Sequence, residues 1–260
     1  MKVMARKTCI MLLAASTLVS CTKNEDVNPH GGSRGGLLLL TEGKKDGVVA
    51  GRYEYNNDNL MTAFHTFAPD GTLESTIIYT YDEHGRVLLV TSKLGDGTVV
   101  GTTEHTYVGT DKMPTSATTV TYHGDAFVSN MTYSYVGDQL IETITWPAPT
   151  PPTVTTYTYN DKGDISSVEA SIGGIWAGTT EYGDYDDKNS PSRLGNPYEW
   201  KLPSRHNWRS IKTIQSSGVT EGQVFKYTYN DADYPVKAEI YDHATGELLE
   251  THEYAYKKAH

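Results

Sequence analysis

The stretch YTYDEHGRV, from Tyr79 to Val87, decides the fold that this chain can adopt. Side chains two positions apart project from the same face of a β-strand, so Tyr79 and Tyr81 share a face. Upstream of them, Leu73, Ser75 and Ile77 continue that face, and the opposite face is mostly polar. This alternation predicts a strand that is buried on one side only.

A tight turn follows the strand at Asp82. The carboxylate of Asp82 can accept hydrogen bonds from the backbone of the turn, and Gly85 can adopt the positive φ that a type I turn with a bulge requires. A new apolar run then begins at Val87. The stretch therefore predicts the end of one strand, a hairpin turn and the start of the next strand.

Weaker copies of the Tyr-x-Tyr pair recur along the chain. The second tyrosine of each copy falls at positions 55, 81, 107, 135, 159, 229 and 256, with His105 replacing the first tyrosine of the third copy. Neighbouring positions are 26, 26, 28 and 24 residues apart, and the last two are 27 apart. A period this steady indicates a repeated structural unit, and its length fits one β-hairpin.

Consecutive hairpins joined by short turns predict an all-β, antiparallel, up-and-down meander of about 14 to 16 strands. A sheet of that width curls, so we expect a barrel or an open barrel. Residues 37–260 form a single domain in this prediction, and the proline-rich run from Trp146 to Thr153 is a turn. A PxxP ligand is the alternative interpretation of that run.

The N-terminus carries a targeting signal. Lys2, Arg6 and Lys7 precede an apolar run, 9–19, that is too short to span a bilayer, which is typical of a secretory signal peptide over residues 1–20. Leu18 to Cys21 resembles the lipobox of bacterial lipoproteins, which implies cleavage before Cys21 and lipidation of that residue. An ordinary secreted protein with an incidental cysteine is the alternative.

Residues 21–36 are predicted to be a lipidated N-terminus followed by a flexible, glycine-rich tether. The charged run directly after Cys21 resembles the surface-export signal of Bacteroidetes lipoproteins, although the start of a charged linker would look the same. Together these resemblances imply an outer-membrane lipoprotein, exposed at the cell surface, whose contact with the membrane is its lipid.

The mature chain is strongly acidic. Removing residues 1–20 lowers the count of Lys and Arg from 22 to 19 against 32 Asp and Glu, which leaves a net charge of −13. Because nucleic-acid binding requires a basic face, this balance argues against a nucleic-acid partner.

The repeat is interrupted over residues 186–210, where strand alternation stops. Six basic residues lie between Lys188 and Lys212, against the single acid Glu199. One hypothesis is a structural plug in the mouth of the barrel. The other is a site for a glycan or another envelope protein, because aromatic and arginine side chains dominate recognition sites. Its candidate ligand-binding residues are Tyr198, Trp200, Arg205, His206, Trp208 and Arg209.

Motifs for catalysis, metal binding or cofactor binding are absent from the sequence, so we expect no metal site and no cofactor. A glycoside hydrolase needs only two carboxylates positioned by the fold, and hydrolysis therefore stays open as a third hypothesis.

Two family resemblances accompany these observations. The pattern Tyr-x-Tyr-Asp-x-x-Gly-Arg at 79–86 resembles the YD repeat of Rhs and teneurin-type proteins. The lipobox together with the repeat resembles a family of Bacteroidetes lipoproteins to which a porin-like fold is assigned, and this resemblance covers nearly all of the mature chain. The family brings no catalytic residues. The anchor, the tether, the repeat scaffold and the aromatic, basic insert together favour a non-catalytic envelope protein that binds a ligand or partner, with a purely structural or assembly role as the alternative.

Overall fold

The structure is a computed structural model that describes residues 36–260 except 124, 192, 203 and 204. The predicted signal peptide, the lipidation site at Cys21 and the tether up to residue 35 lie outside the described residues.

The described chain consists of strands joined by turns and one long irregular segment. The strands are β1 (Leu38–Lys45), β2 (Val48–Tyr55), β3 (Met61–Phe67), β4 (Leu73–Tyr81), β5 (Val87–Leu94), β6 (Val99–Thr106), β7 (Ser116–His123) and β8 (Asp125–Val136). They continue with β9 (Gln139–Thr145), β10 (Thr153–Tyr159), β11 (Ile165–Ile172), β12 (Ile175–Gly183), β13 (Ser210–Gln215), β14 (Thr220–Tyr229), β15 (Pro235–Asp242) and β16 (Leu248–Lys258).

These sixteen strands form a closed, antiparallel barrel in which each strand pairs with its neighbours in sequence. Closure comes from β1 and β16, which pair from Leu38↔Lys258 to Lys45↔His252. The predicted up-and-down meander is confirmed, and the barrel is fully closed. Within the described residues, no helix is long and apolar enough to cross a membrane.

The repeated turn is built as the sequence predicts. The Asp82 carboxylate accepts hydrogen bonds from the backbone N–H groups of His84 and Arg86, each at 2.9 Å. Gly85 has a φ of 72°. Asn160 makes the same pair of bonds with its side-chain oxygen, and so do Asn56 and Asn230.

The second tyrosine of the repeat fastens one hairpin to the next. The Tyr81 hydroxyl donates to the backbone carbonyl of Met61 at 2.6 Å, and Tyr107 donates to Val87 at 2.8 Å. Tyr256 makes the equivalent bond to Pro235, and Tyr185, which lies just before the interruption of the repeat, makes it to Ile165. Each acceptor is the first residue of a strand: β3, β5, β11 and β15. The tyrosines are therefore conserved within the repeat by their role in construction.

The two faces of the wall differ sharply in chemistry. Partners in register share a face, and the face that carries Tyr79 and Tyr157 is buried and turned toward the lumen. The outward face carries ion pairs between neighbouring strands, such as Arg52 with Glu42 at 3.0 Å and Lys212 with Glu181 at 3.3 Å. The barrel thus has an aromatic interior and a polar, charged exterior.

The two mouths of the barrel also differ. The turns that follow the tyrosine pairs, the start of β1 and the end of β16 all lie at one mouth, and the irregular segment 184–209 between β12 and β13 begins and ends there too. We call this the plug end. The opposite mouth, which carries the turns after the odd-numbered strands, we call the open end. The interruption predicted at 186–210 thus matches the observed segment to within two residues.

Candidate functional site

The irregular segment 184–209 enters the lumen at the plug end. The ring of Trp200 lies 4.8 Å from that of Tyr133 on β8, and Tyr198 lies 6.2 Å from Tyr79 on β4. On the far side, Trp208 packs against Tyr182 on β12 with centroids 5.2 Å apart. Only an element inside a closed ring can contact inward faces this far apart around it. We call the described residues of this segment the plug.

Packing holds the aromatic part of the plug. Tyr198 joins two clusters of buried wall residues, one on β3–β5 and the other on β9–β11. Trp200 is only 5% exposed, and its indole N–H makes no hydrogen bond within the described residues. Apolar contact, worth about 25 cal/mol per Å² of buried apolar surface, therefore fixes this side chain.

A buried carboxylate anchors the second half of the plug. Asp164, at the start of β11, is fully buried. It accepts hydrogen bonds from the backbone N–H groups of Arg205 at 2.8 Å and His206 at 3.3 Å, and its second oxygen lies 2.8 Å from Nδ1 of His206. Because buried carboxylates are costly unless hydrogen-bonded, Asp164 specifies the position of this loop.

An ion pair lies between the plug and the wall. The Lys201 ammonium is 2.5 Å from the carboxylate of Glu142 on β9, and Glu142 is only 4% exposed. The same ammonium lies 5.1 Å above the ring of Tyr157. The neighbouring His105 is buried, and desolvation, aided by the charge of Lys201, lowers its pKa to about 4. Where the plug meets β9, the charged groups are thus Lys201 and Glu142, and the imidazole of His105 beside them is neutral.

One acidic side chain of the plug, Glu199, has a raised pKa, whereas that of His105 is lowered. Glu199 keeps contact with water, but the surrounding protein desolvates its carboxyl and raises its pKa to about 7, against the opposing charges of Lys112 and Arg205. The plug therefore changes charge near neutral pH.

The two ends of the plug, next to β12 and β13, border a charged cleft of about 620 Å³. Arg209 lines it together with Asp186 and Lys188, and its Nε donates to the backbone carbonyl of Asp184 at 2.9 Å. Asp186 accepts hydrogen bonds from Asn207 and from the hydroxyl of Tyr229. The cleft combines carboxylates with cations, so it has no uniform charge that would select an ion.

The structure distributes the six predicted ligand-binding residues over the plug. Tyr198 and Trp200 lie together in the aromatic part, with centroids 6.5 Å apart. Arg205 and His206 surround Asp164, Trp208 packs on β12, and exposed Arg209 lies at the outer cleft. They form no single surface, and all of them except Arg209 make the contacts described above between the plug and the wall.

A second aromatic group lies at the open end, where sequence reasoning found only a turn. The rings of Phe127 on β8 and Trp146 after β9 stack with centroids 5.8 Å apart and planes at 22°. Trp146 donates its indole N–H to Oγ1 of Thr153 on β10 at 3.0 Å. Extending the alternation of β9 from Ile144 to Trp146 would have placed this tryptophan on the inward face. That signal was present in the sequence.

Among the described residues, no group of three or more His, Cys, Asp and Glu side chains is arranged to hold a metal ion.

No protein-family model matches the chain. No curated protein matches it either. Among solved structures, the barrel is similar to a porin-like protein from Bacteroides vulgatus, with a TM-score of 0.53 and 14% identity, over 84% of this chain and 99% of that one. It is also similar to a porin-like protein from Bacteroides uniformis, with a TM-score of 0.52 and 14% identity, over 85% of this chain and 95% of that one. At this level of identity the likeness establishes a shared fold: this chain adopts the fold of porin-like barrels from Bacteroides.

Proposed function

We propose that this chain is a lipid-anchored protein of the bacterial envelope whose barrel stands in water and serves as a non-catalytic binding scaffold. The observation that carries this proposal is the polarity of the wall. Barrels that span the outer membrane present an apolar band about 25 Å tall to lipid. Here the outward face carries ion pairs such as Lys212 with Glu181, and tyrosines of the repeat such as Tyr79 and Tyr157 face inward.

The position of the N-terminus supports an anchored arrangement. The start of β1 lies at the plug end, where Leu38 donates its N–H to the hydroxyl of Tyr234, and Leu37 accepts from Ala259. A lipid on Cys21 would therefore attach at the plug end. The open end would then point away from the membrane, outward from an outer-membrane lipoprotein at the cell surface.

The plug supports binding over transport. A barrel of 16 strands is wide enough for an aqueous channel. The plug occupies that lumen at one end and is held by a buried ion pair, a buried carboxylate and aromatic packing. The candidate residues of the plug then act mainly in construction, and the ligand, a glycan or another envelope protein, meets the barrel at its open end or at the cleft beside Arg209.

Anchoring and orientation are tested together in cells. Cys21→Ala should move the protein from the membrane fraction to the soluble fraction. If the variant stays in membranes after a high-salt wash, the barrel itself is inserted and the proposal fails.

For orientation, single cysteines replace exposed turn residues at the two mouths, Ala244→Cys at the open end and Lys162→Cys at the plug end. A bulky maleimide that cannot cross membranes should label Ala244→Cys in intact cells faster than Lys162→Cys. Equal protection of both would exclude surface exposure, and faster labelling of Lys162→Cys would reverse the orientation.

A further inference from the structure

We propose that the inner wall of the open mouth along β8–β12 binds a neutral oligosaccharide. This inference rests on the proposed function, because it requires the open mouth to face solvent. This site does not include the six candidate ligand-binding residues predicted from the sequence, which lie in the plug. Its centre is the ring pair of Phe127 and Trp146.

Both rings face the lumen. Phe127 pairs in register with Thr121, on the face of β7 that continues through Ala117 to the buried wall. Trp146 is hydrogen-bonded to Thr153, which is two positions along the same face from Thr155 and four from Tyr157. Inward-facing aromatic side chains such as Tyr79 and Tyr157 are buried, whereas Phe127 is 37% exposed. Water therefore reaches this part of the wall.

The ring pair is suited to stacking on a sugar. The bond from Trp146 Nε1 to Thr153 uses the only polar atom of the indole and fixes the orientation of its plane. Aromatic faces are electron-rich, and they attract the polarised C–H groups on the apolar face of a pyranose ring. The two rings stack on each other at 22°, so each shields one face of its partner, and the sugar would stack on a ring face that the pair leaves uncovered.

The rest of this wall favours a ligand without charge. On the open side of Glu142, which is paired with Lys201 of the plug, the described inward side chains of β9–β11 are hydroxyl-bearing or apolar, as with Thr153 and Ile172. Inward charges near the open end lie on other strands, for example on β1 and β16, where Glu250 pairs with Lys45 and His252. A charged ligand on the uncharged wall would lose its hydration without gaining a partner. A polyhydroxylated neutral ligand would exchange hydrogen bonds with the threonines.

The plug sets the form of the ligand. Because the plug enters the lumen from the plug end and contacts the wall at Glu142 and Tyr133, we expect an oligosaccharide to enter from the open mouth and to stop at the plug. The site therefore takes a chain end or a short oligosaccharide. We therefore expect the affinity to stop rising once the oligosaccharide is longer than the distance from the open mouth to the plug.

The test uses an array of neutral and acidic oligosaccharides, followed by calorimetry with the tightest neutral binder at several chain lengths. Trp146→Ala and Phe127→Ala should each weaken binding about tenfold or more, as expected for a central aromatic contact. The matched control is Trp176→Ala, because Trp176 is 40% exposed at the same end of the barrel but faces outward, in register with Ser171. Its affinity should stay within twofold of the wild type.

Circular dichroism and the melting temperature verify that each variant folds. Thr153→Val provides a second, milder test, since it keeps the shape of the wall and removes the hydroxyl that orients the indole. The inference is overturned if the wild type binds no neutral glycan, if it prefers acidic glycans, or if Trp176→Ala weakens binding as much as Trp146→Ala. None of these results affects the membrane release expected for Cys21→Ala, so failure of the sugar site and failure of the anchored scaffold are distinguishable.

Discussion

The hydroxyl of Tyr135 donates a hydrogen bond to the backbone carbonyl of Trp200 at 2.6 Å, across 65 residues of sequence. Tyr159 makes the same bond to Lys201. At Tyr81, Tyr107 and Tyr256 this hydroxyl instead binds the first residue of a wall strand. The hydroxyls of Tyr135 and Tyr159, like that of Tyr229, which donates to Asp186, have thus been diverted from holding the wall to holding the plug.

This diversion predicts a local effect of Tyr135→Phe combined with Tyr159→Phe. Each change removes a hydrogen bond worth about 0.5–1.5 kcal/mol and leaves a plug carbonyl without its donor. The amides of Lys201 and Leu202, which bond to Tyr198 within the plug, should exchange with deuterium faster. Tyr107→Phe is the control, because it should speed exchange near Val87 and leave the plug unchanged. Equal exchange in the plug for all variants would contradict the assigned role.

Gly195 marks a close approach between the plug and the rim of the wall. A Cβ at Gly195 would lie 2.5 Å from the carbonyl oxygen of Asn59 and 2.7 Å from the ring of Tyr55, and its φ is +77°. Gly218→Ala is the matched control, since Gly218 has a φ of +83° with nothing within 4 Å.

Both alanine variants should lose about 1–2 kcal/mol of stability from the strained backbone. Gly195→Ala should lose roughly a further 1–3 kcal/mol from overpacking. Urea unfolding measures both, and equal losses would mean that the plug adapts without cost.

The sequence predicted the barrel well because its information is local and repeated. Alternation fixes which face of β4 is buried, and the turn at Asp82 with Gly85 fixes the hairpin geometry, so the strand count follows from the period. Closure of the barrel depends on the pairing of β1 with β16, which lie more than 200 residues apart. No local pattern encodes that pairing.

The site was harder to predict than the wall. The break in the repeat located the plug. A plug and an exposed recognition loop, however, can contain the same number of tryptophans and arginines, so composition does not distinguish them. Burial distinguishes them, and burial of Trp200 depends on Tyr133 and Tyr198 meeting in three dimensions. At the open end, the prolines after Trp146 predicted a turn, but they carried no information on where the side chain of Trp146 itself lies.

The ion pair of Lys201 with Glu142 should behave as a buried pair. Glu142→Gln alone leaves a buried ammonium without its counter-ion and should destabilise the protein by about 3–5 kcal/mol. Replacing both partners, with Lys201→Met and Glu142→Gln, should recover much of that loss, because neither charge remains to be desolvated. A double-mutant cycle by chemical unfolding measures the coupling. Additive losses would show that solvent screens the pair.

His105 on β6 and Glu199 in the plug should give the stability of the protein two opposing responses to pH. Burial holds the pKa of His105 at about 4, below the ordinary value of 6.5 that it regains on unfolding. Between these values the unfolded chain binds a proton that the folded chain does not. Stability should therefore fall as the pH drops from about 6.5 to about 4, by up to roughly 3 kcal/mol.

Glu199 acts in the other direction, because desolvation raises its pKa to about 7 from an ordinary 4.5. The folded chain binds its proton first, so this residue adds stability as the pH falls from about 7 to about 4.5. His105→Gln should consequently remove the loss of stability in acid, and Glu199→Gln should steepen it. Urea unfolding of the wild type and both variants at pH 4.5, 5.5, 6.5 and 7.5 separates the two contributions. If His105→Gln keeps the wild-type slope between pH 4.5 and 6.5, the imidazole is not held neutral by the plug.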